Sequence, residues 1–380
     1  MKKGIIIGAG IGGLTTAIAL AQKGIQVKIY ERANEIKEVG AGVWIAPNGM
    51  KIFEKLGIAQ EITREGNKLN NISVVDLAYN PISVINGLET ELKHNFGTIA
   101  IHRAKLQKIL TSYIPSERIF LNKEFKYYEQ SDHIVTVFFE DGTKEEADFL
   151  ICADGLKSKA RNQIKSFHKL RYSGQTCWRF TTTFDLPEKD QNNMYEVWAN
   201  SKGLRVGYSK IDEKRVYVFI TNANKMGNTT HIGSTKNHLL EICKPFSKII
   251  KDMIHVTDEN EIIKTDLFDF KPMKNWIDGR VALIGDAAHA TTPNLGQGAC
   301  QAIEDAWVIA NELSTNNHIV SSLKKFQDRR LEKATFITNT SWLFSQMTNT
   351  SGLLKSIVKL VLRLTPDSLN KKQLDKIYTV

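Results

Sequence analysis

Lys2-Lys3-Gly4-Ile5-Ile6-Ile7-Gly8-Ala9-Gly10-Ile11-Gly12-Gly13 begins a stretch that runs on to Val27-Lys28-Ile29-Tyr30-Glu31-Arg32. An apolar strand enters Gly8-x-Gly10-x-x-Gly13, a helical pattern follows from Leu14 to Lys23, and a second apolar strand stops at an acid, Glu31. These are the parts of a βαβ dinucleotide-binding unit, in order. The glycines serve a tight turn, close approach of backbone to a pyrophosphate, and packing of helix on sheet. The helix's first amides and positive end would hold the pyrophosphate, while Glu31 would accept from the adenosine ribose. The stretch leaves open whether the ADP belongs to NAD, NADP or FAD, because Arg32 offsets the argument of Glu31 against a 2′-phosphate.

Working outward, 380 residues allow two or three domains, each with its own core. A hydrophobic fraction of 42% and a charged fraction of 24% are those of a globular protein. The formal charge of +10 is spread along the chain rather than massed in blocks, which fits a solvated basic surface and no nucleic-acid partner. Cys152, Cys177, Cys243 and Cys300 form no CxxC, so neither a metal site nor a disulfide framework is expected. With the fingerprint starting at the fourth residue there is no room for a signal peptide, and no transmembrane run is present. The expected compartment is the cytoplasm.

Beyond Glu31, Val39 to Asn48 is glycine-rich, and Gly40 and Gly42 fit either a close approach of backbone or a simple loop. A short helix is expected over 49–56, a strand pair over 72–85, and a helix from 101 with Arg103 in its first turn. An Arg there opposes the helix dipole and hints at an anionic partner. Phe149-Leu150-Ile151-Cys152 is a buried strand ending in Ala153-Asp154-Gly155, with Ser158 and Arg161 following. Four strand-like runs between Leu170 and Asn222 read as an inserted antiparallel sheet, backed by one helix from Lys236 to Ile254. Val281 to Ile284 is another buried strand, ending in Gly285-Asp286 and leading through Pro293 and Gly296-Gln297-Gly298 into a long helix. In the C-terminal segment Lys355, Lys359 and Arg363 share one helix face opposite an apolar stripe, as in a helix docked by its apolar side or one touching a membrane.

Three motifs thus occur in one order: Gly8 to Gly13, Ala153-Asp154-Gly155, and Gly285-Asp286 with Pro293 to Gly298. The chain resembles the group A FAD-dependent aromatic hydroxylases, in the branch that includes urate hydroxylase, salicylate-type hydroxylases and zeaxanthin epoxidase. The resemblance implies a bound FAD and NADPH or NADH as co-substrate. It implies hydroxylation of a small aromatic or heteroaromatic compound with O2, by way of a flavin C4a-hydroperoxide. By the same resemblance Gly8, Gly10, Ile11, Gly12, Gly13, Glu31 and Arg32 would hold the ADP half. Gly42, Val43, Arg103, Asp154, Gly155, Gly285 and Asp286 would contact the rest of the cofactor, and Pro293, Gly296, Gln297 and Gly298 would line the isoalloxazine. Arg205, Tyr217 and Pro293 would serve the substrate side, and His289 would make a structural hydrogen bond. Tyr172 to Arg179 departs from the urate hydroxylase pattern and leaves urate itself open.

The fold expected is α/β: a Rossmann-like FAD-binding domain (1–71, 98–169 and 262–313), an inserted antiparallel substrate domain (72–97 and 170–261) and C-terminal helices (314–380). Monomer and homodimer are both compatible with it. Two alternatives stand beside the small-substrate hydroxylase: an epoxidase or hydroxylase of a larger lipophilic compound, and a flavin-binding redox module without hydroxylation.

Overall fold

The computed structural model describes residues 2–36, 41–164, 169–228 and 234–380. Gly40 lies outside the described residues. The first sheet runs Ile277–Asp278, Val281–Leu283, Phe149–Cys152, Lys3–Ile7, Gln26–Tyr30, Ile119–Phe120, all parallel except the first-named edge strand. Its central strands are unbroken apolar runs because both faces are covered, by helices such as Ile11–Gln22 and by a three-stranded antiparallel sheet of Phe125–Gln130, Val135–Phe139 and Lys144–Ala147. Ile5, Ile6 and Ile7 are buried, each contributing about 1.5–3 kcal/mol. Gly4 is required under the Phe149 ring, where a Cβ would come within 2.3 Å. Helix Ile11–Gln22 begins three residues earlier than the apolar pattern suggests, and it packs on helix Gly298–Thr315 with Gly12 facing Ala302.

The second sheet has seven strands, in the order Ile263–Asp269, Arg171–Thr183, Arg215–Ala223, Arg205–Lys210, Asn193–Trp198, Asn71–Asp76, Pro81–Asn86. Three readings of the sequence are corrected here. The sheet is mixed, because Asn193–Trp198 pairs parallel with Asn71–Asp76. Ile263–Asp269 pairs with Arg171–Thr183, so the first sheet is rejoined only at Ile277. The single backing helix is two, Thr235–Ile242 and Lys248–Val256, since Pro245 cannot continue a helix. These two helices cover the face carrying Trp178, Phe180, Tyr208, Val218 and Ile220. Alternation turns Arg179, Arg205, Tyr217 and Phe219 to the opposite face, toward the first domain.

Helix Ile319–Thr348 runs along the first domain, and helix Gly352–Leu364 then docks against the second sheet. Its docking is the reverse of the expected one. Lys355 and Lys359 are buried, while the apolar stripe opposite them is exposed. Lys355 Nζ donates to the carbonyls of Ser201 (2.9 Å) and Thr348 (3.3 Å), and Lys359 Nζ to Asn200 Oδ1 (2.9 Å). The carbonyls of Trp198 at the end of its strand, Ser201 in the following bend and Thr348 at the end of helix Ile319–Thr348 thus receive the ammonium face. Among the described residues no helix is long and apolar enough to cross a membrane.

Candidate active site

All three glycine motifs sit at the carboxyl edge of the first sheet, where adjacent parallel strands deliver them. Gly8 has φ +100°, and a Cβ there would lie 2.5 Å from the Ala153 carbonyl oxygen. At Gly13 a Cβ would lie 2.0 Å from the Gly8 carbonyl, whereas Gly10 faces open space. Turn, close packing and approach are thus divided among the three glycines. The amides of Gly10, Ile11, Gly12 and Gly13 head the helix, where no preceding turn supplies carbonyls. Glu31 accepts from the amides of Ala9 (2.8 Å) and Ala33 (3.0 Å), which fixes its carboxylate beside the turn and leaves each oxygen a further lone pair. Arg32 is exposed beyond it. Gln107 Nε2 donates to the Ala9 carbonyl at 2.7 Å, a support that no local pattern in the sequence signals.

Arg161 ties the second motif to the third. Its Nη2 donates to the Leu156 carbonyl (2.6 Å) and its Nη1 to that of Ala287 (3.1 Å), while Phe270 stacks on the guanidinium at 4.4 Å. In the turn it secures, Gly155 has φ +77°. Asp154 Oδ1 is buried with no hydrogen-bond partner, and burial raises the carboxyl's pKa. A buried orphan acceptor is a cost that a ligand donor removes. Asp286 is exposed, with Oδ1 beside Gly298 at 3.8 Å from the place a Cβ would take. The orphan acceptor, the open face at Gly10 and this carboxylate fit the ADP, ribityl and pyrophosphate parts of FAD.

Behind the third motif lies a buried charge network. Asp305 accepts from the Gly285 amide (2.8 Å), His289 Nε2 (2.6 Å) and Arg330 Nε (2.8 Å). Burial alone would raise the Asp305 carboxyl, but His289 and Arg330 outweigh it and hold it far below the usual range. Glu304 accepts from Arg330 Nη1 (2.5 Å), Lys333 Nζ (2.7 Å) and Asn48 Nδ2 (2.6 Å). Asn48 also donates to Gln297 Oε1 at 3.0 Å. Gln297 therefore turns its side chain into the scaffold and leaves its backbone to the cleft. His289 makes the structural hydrogen bond the sequence suggested.

The substrate side forms where strand Gly42–Ile45 meets the second sheet. The ring of Tyr217 lies flush on Gly42, where a Cβ would come within 2.5 Å, and Val43 follows on the same strand. Trp44 Nε1 donates to Ser209 Oγ at 3.0 Å, and its ring meets Tyr217 and Phe219 edge-on. Arg179 stands opposite Phe219 in register, with Cys177 and Tyr217 as polar neighbours and no ion pair among the described residues. Arg103 begins its helix as expected, and its exposed charge also acts on Tyr217. Burial pushes the Tyr217 phenol far up, with Arg179 and Arg103 opposing.

Arg205 has protein partners on every side of its guanidinium. It is 4% exposed and already neutralised: Nη1 donates to Glu196 Oε1 (2.7 Å), Nε to Thr221 Oγ1 (3.0 Å) and Nη2 to Asn294 Oδ1. Asn294 belongs to the turn Pro293–Leu295, which exposes Pro293 and ends at Gly296, φ +61°, where a Cβ would lie 3.5 Å from the Trp44 ring. Gly298 then starts the long helix.

Residues 2–338 match the FAD binding domain family. The Aurachin C monooxygenase/isomerase of Stigmatella aurantiaca is 33% identical over 351 residues, which span 91% of this chain and 90% of that protein. The FAD-dependent urate hydroxylase of Klebsiella pneumoniae is 30% identical over 337 residues, spanning 87% and 86%. The crystal structure of Klebsiella pneumoniae HpxO complexed with FAD and uric acid superposes with a TM-score of 0.91 at 26% identity, covering 99% of this chain and 96% of that one. With the glycine turns, the orphan acceptor and the aromatic seam in the places described, the chain belongs to the FAD binding domain family and is an FAD-dependent monooxygenase of the aromatic-hydroxylase group.

Proposed function

We propose that the protein uses NAD(P)H and O2 to hydroxylate a small, planar, anionic aromatic or heteroaromatic compound. The observation that carries this reading is Arg179, a guanidinium on the cleft side of the sheet with no carboxylate partner among the described residues. An uncompensated cation in such a place is costly, and an anionic ring supplies the missing charge. Trp44, Tyr217 and Phe219 offer it aromatic edges and faces. Uric acid, named with HpxO, is a planar ionisable heterocycle of that description.

FAD, reduced by NAD(P)H, supplies the electrons and the oxygen chemistry when bound. The chain's residues position it. Gly8 to Gly13 and Glu31 would hold the ADP half, with Arg32 beside it. Asp154, Gly155 and the Gly285 turn would shape the cleft, and Asp286 would accept from the ribityl chain. Gly42, Val43, Arg103, Pro293 and Gly296 to Gly298 would surround the ring system. The helix N-terminus at Gly298 favours negative charge in front of it. The Gly42–Tyr217 and Trp44–Ser209 contacts exclude water from the seam. Arg205 is a positioning residue that acts through Asn294.

The test needs no product standard. Small aromatic anions, urate included, are screened for faster bleaching of bound flavin by NADPH without O2. Acceleration by carboxylate or phenolate rings is expected. Acceleration by their neutral amide or ether analogues alone, or by none of the panel, would sink the proposal.

A further inference from the structure

Helix Asp367–Tyr378 is remote in sequence from the glycine motifs, yet its last turn is buried, with Ile377 and Tyr378 each 6% exposed. A last helical turn normally frays; this one is tied down by two separate sets of contacts. The first is apolar. Ile377 and Tyr378 cluster with Ala46, Cys300 and Ile337, apart from the cores of the two large sheets, and Leu295 packs against that cluster. Between Pro293 and Gln297, Leu295 is the one aliphatic side chain apart from the proline ring. The loop assigned to the isoalloxazine therefore takes its apolar anchorage from a cluster that Ile377 and Tyr378 complete.

The second set is polar. Lys333 Nζ donates to both oxygens of Glu304 (2.7 and 2.9 Å) and to the Thr379 carbonyl (2.7 Å), which commits all three donors of the ammonium. Glu304 Oε1 and Gln297 Oε1 are in turn bridged twice, by Asn48 Nδ2 (2.6 and 3.0 Å) and by Gln301 Nε2 (3.2 Å to each). Direct hydrogen bonds thus run from Thr379 to the side chain of the residue before Gly298. Asn48, Gln297 and Glu304 are buried. There a lost partner is costly, and a satisfied network fixes one arrangement.

Stability alone asks for less. Arg330 already pairs with Glu304, and buried ions can often be replaced by apolar groups without loss. What the second cation adds is a fixed distance between helix and loop. We infer that Lys333 and Tyr378 are positioning residues for FAD: they hold helix Asp367–Tyr378 against the loop 293–298 and so keep the backbone of Gln297 and Gly298 on the cleft side. The helix is pinned elsewhere by Asp375, 2.5 Å from Lys93 Nζ and 3.3 Å from His94 Nε2. Those residues end helix Gly87–His94, which follows the edge strand Pro81–Asn86. The helix thereby straps the edge of the second sheet to the cofactor loop. The inference rests on the proposed placement of the flavin at this loop and not on the identity of the substrate.

Lys333→Met, Lys333→Arg and Tyr378→Ala are compared with the native chain, and Ile377→Ala replaces the last should it not fold. Lys333→Met and Tyr378→Ala should bind oxidised FAD about tenfold more weakly in equilibrium dialysis. Reduced FAD should lose about a further tenfold, because the amides before Gly298 favour its added negative charge only when aimed at it. That further factor lowers the midpoint potential of the bound flavin by about 30 mV. Lys333→Arg, which keeps the donors, should restore both. Lower melting of the apoprotein with native FAD affinity and potential would show a structural role alone and overturn the inference. So would a potential that falls for Lys333→Met but not for Tyr378→Ala, since the cation would then act by its charge and not through the strap. Asp286→Ala is the control in the same dialysis. If it weakens FAD while the strap variants bind normally, only this inference fails; if all bind normally, the placement of FAD fails with it.

Discussion

Arg205 Nη1 donates to Glu196 Oε1 at 2.7 Å inside the second sheet, and the same guanidinium reaches Asn294 on the turn that starts at Pro293. The pair holds the sheet and the cofactor-side loop in one arrangement, with Trp198 Nε1 donating to the same Glu196 oxygen at 2.7 Å.

Removing one partner of this pair leaves the other charge buried. Arg205→Ala is expected to lower unfolding stability by about 3–5 kcal/mol, and Arg205→Ala with Glu196→Ala to recover part of that loss. Thermal unfolding of the FAD-loaded variants checks it. An Arg205→Ala protein that melts like the native one and only binds substrate more weakly would return Arg205 to the substrate.

Arg179 carries no such burden. Arg179→Ala should raise KM for an anionic substrate about 10- to 100-fold, the worth of one charge-assisted contact of ~1.5–3 kcal/mol. FAD content should not change, and Arg179→Lys should fall between the two. Steady-state kinetics on the best substrate of the screen decides, and a KM unaffected by Arg179→Ala removes Arg179 from the site.

Asp286 and Asp305 should affect FAD by different routes. Asp286→Ala removes a carboxylate that faces the cleft, and FAD affinity should fall about tenfold, for a charged hydrogen bond of ~1.5 kcal/mol or more. Asp305→Asn leaves the cleft untouched but weakens the hold on Gly285 and His289. It should lower both FAD affinity and stability. Equilibrium dialysis and melting of the apoprotein separate them: the apo melting point moves for Asp305→Asn and not for Asp286→Ala.

Lys355 gives a pH signature. Burial, then Lys359 and Arg205, lower its pKa from 10.5 to about 8, with Glu196 opposing. The unfolded chain therefore binds the extra proton between those values, so raising the pH from about 8 to 10.5 stabilises the folded state. Below pH 8 the group is charged in both states and the buried charge is a constant cost. Native protein should gain stability relative to Lys355→Met across that window, by up to about 3 kcal/mol. Parallel denaturation curves for the two proteins would contradict the placement.

What could be read in the sequence follows from what is local. Gly8, Gly10, Gly13, Gly155 and Gly285 announce themselves because each serves a backbone geometry at a strand end. Asp154 and Asp286 stand at the same strand ends. The ion pair of Arg205 could not be read because its partner, Glu196, lies on an adjacent strand whose register no short pattern fixes. Asp305, Glu304 and Arg330 went unnoticed since their pairing depends on how two helices pack. Helix Gly352–Leu364 misled most. Its period gave the two faces correctly, but which face turns inward follows from the carbonyl of Thr348 nearby and those of Trp198 and Ser201, remote in sequence.

The most direct test is turnover under labelled oxygen gas. Purified FAD-loaded protein, NADPH and the aromatic anion that best accelerates flavin bleaching are allowed to react, and the product is weighed by mass spectrometry. The expected result is one labelled oxygen atom per product molecule, with one NADPH oxidised for each. NADPH oxidation that yields only hydrogen peroxide with every ring compound, or a product carrying oxygen from water, would contradict a hydroxylase.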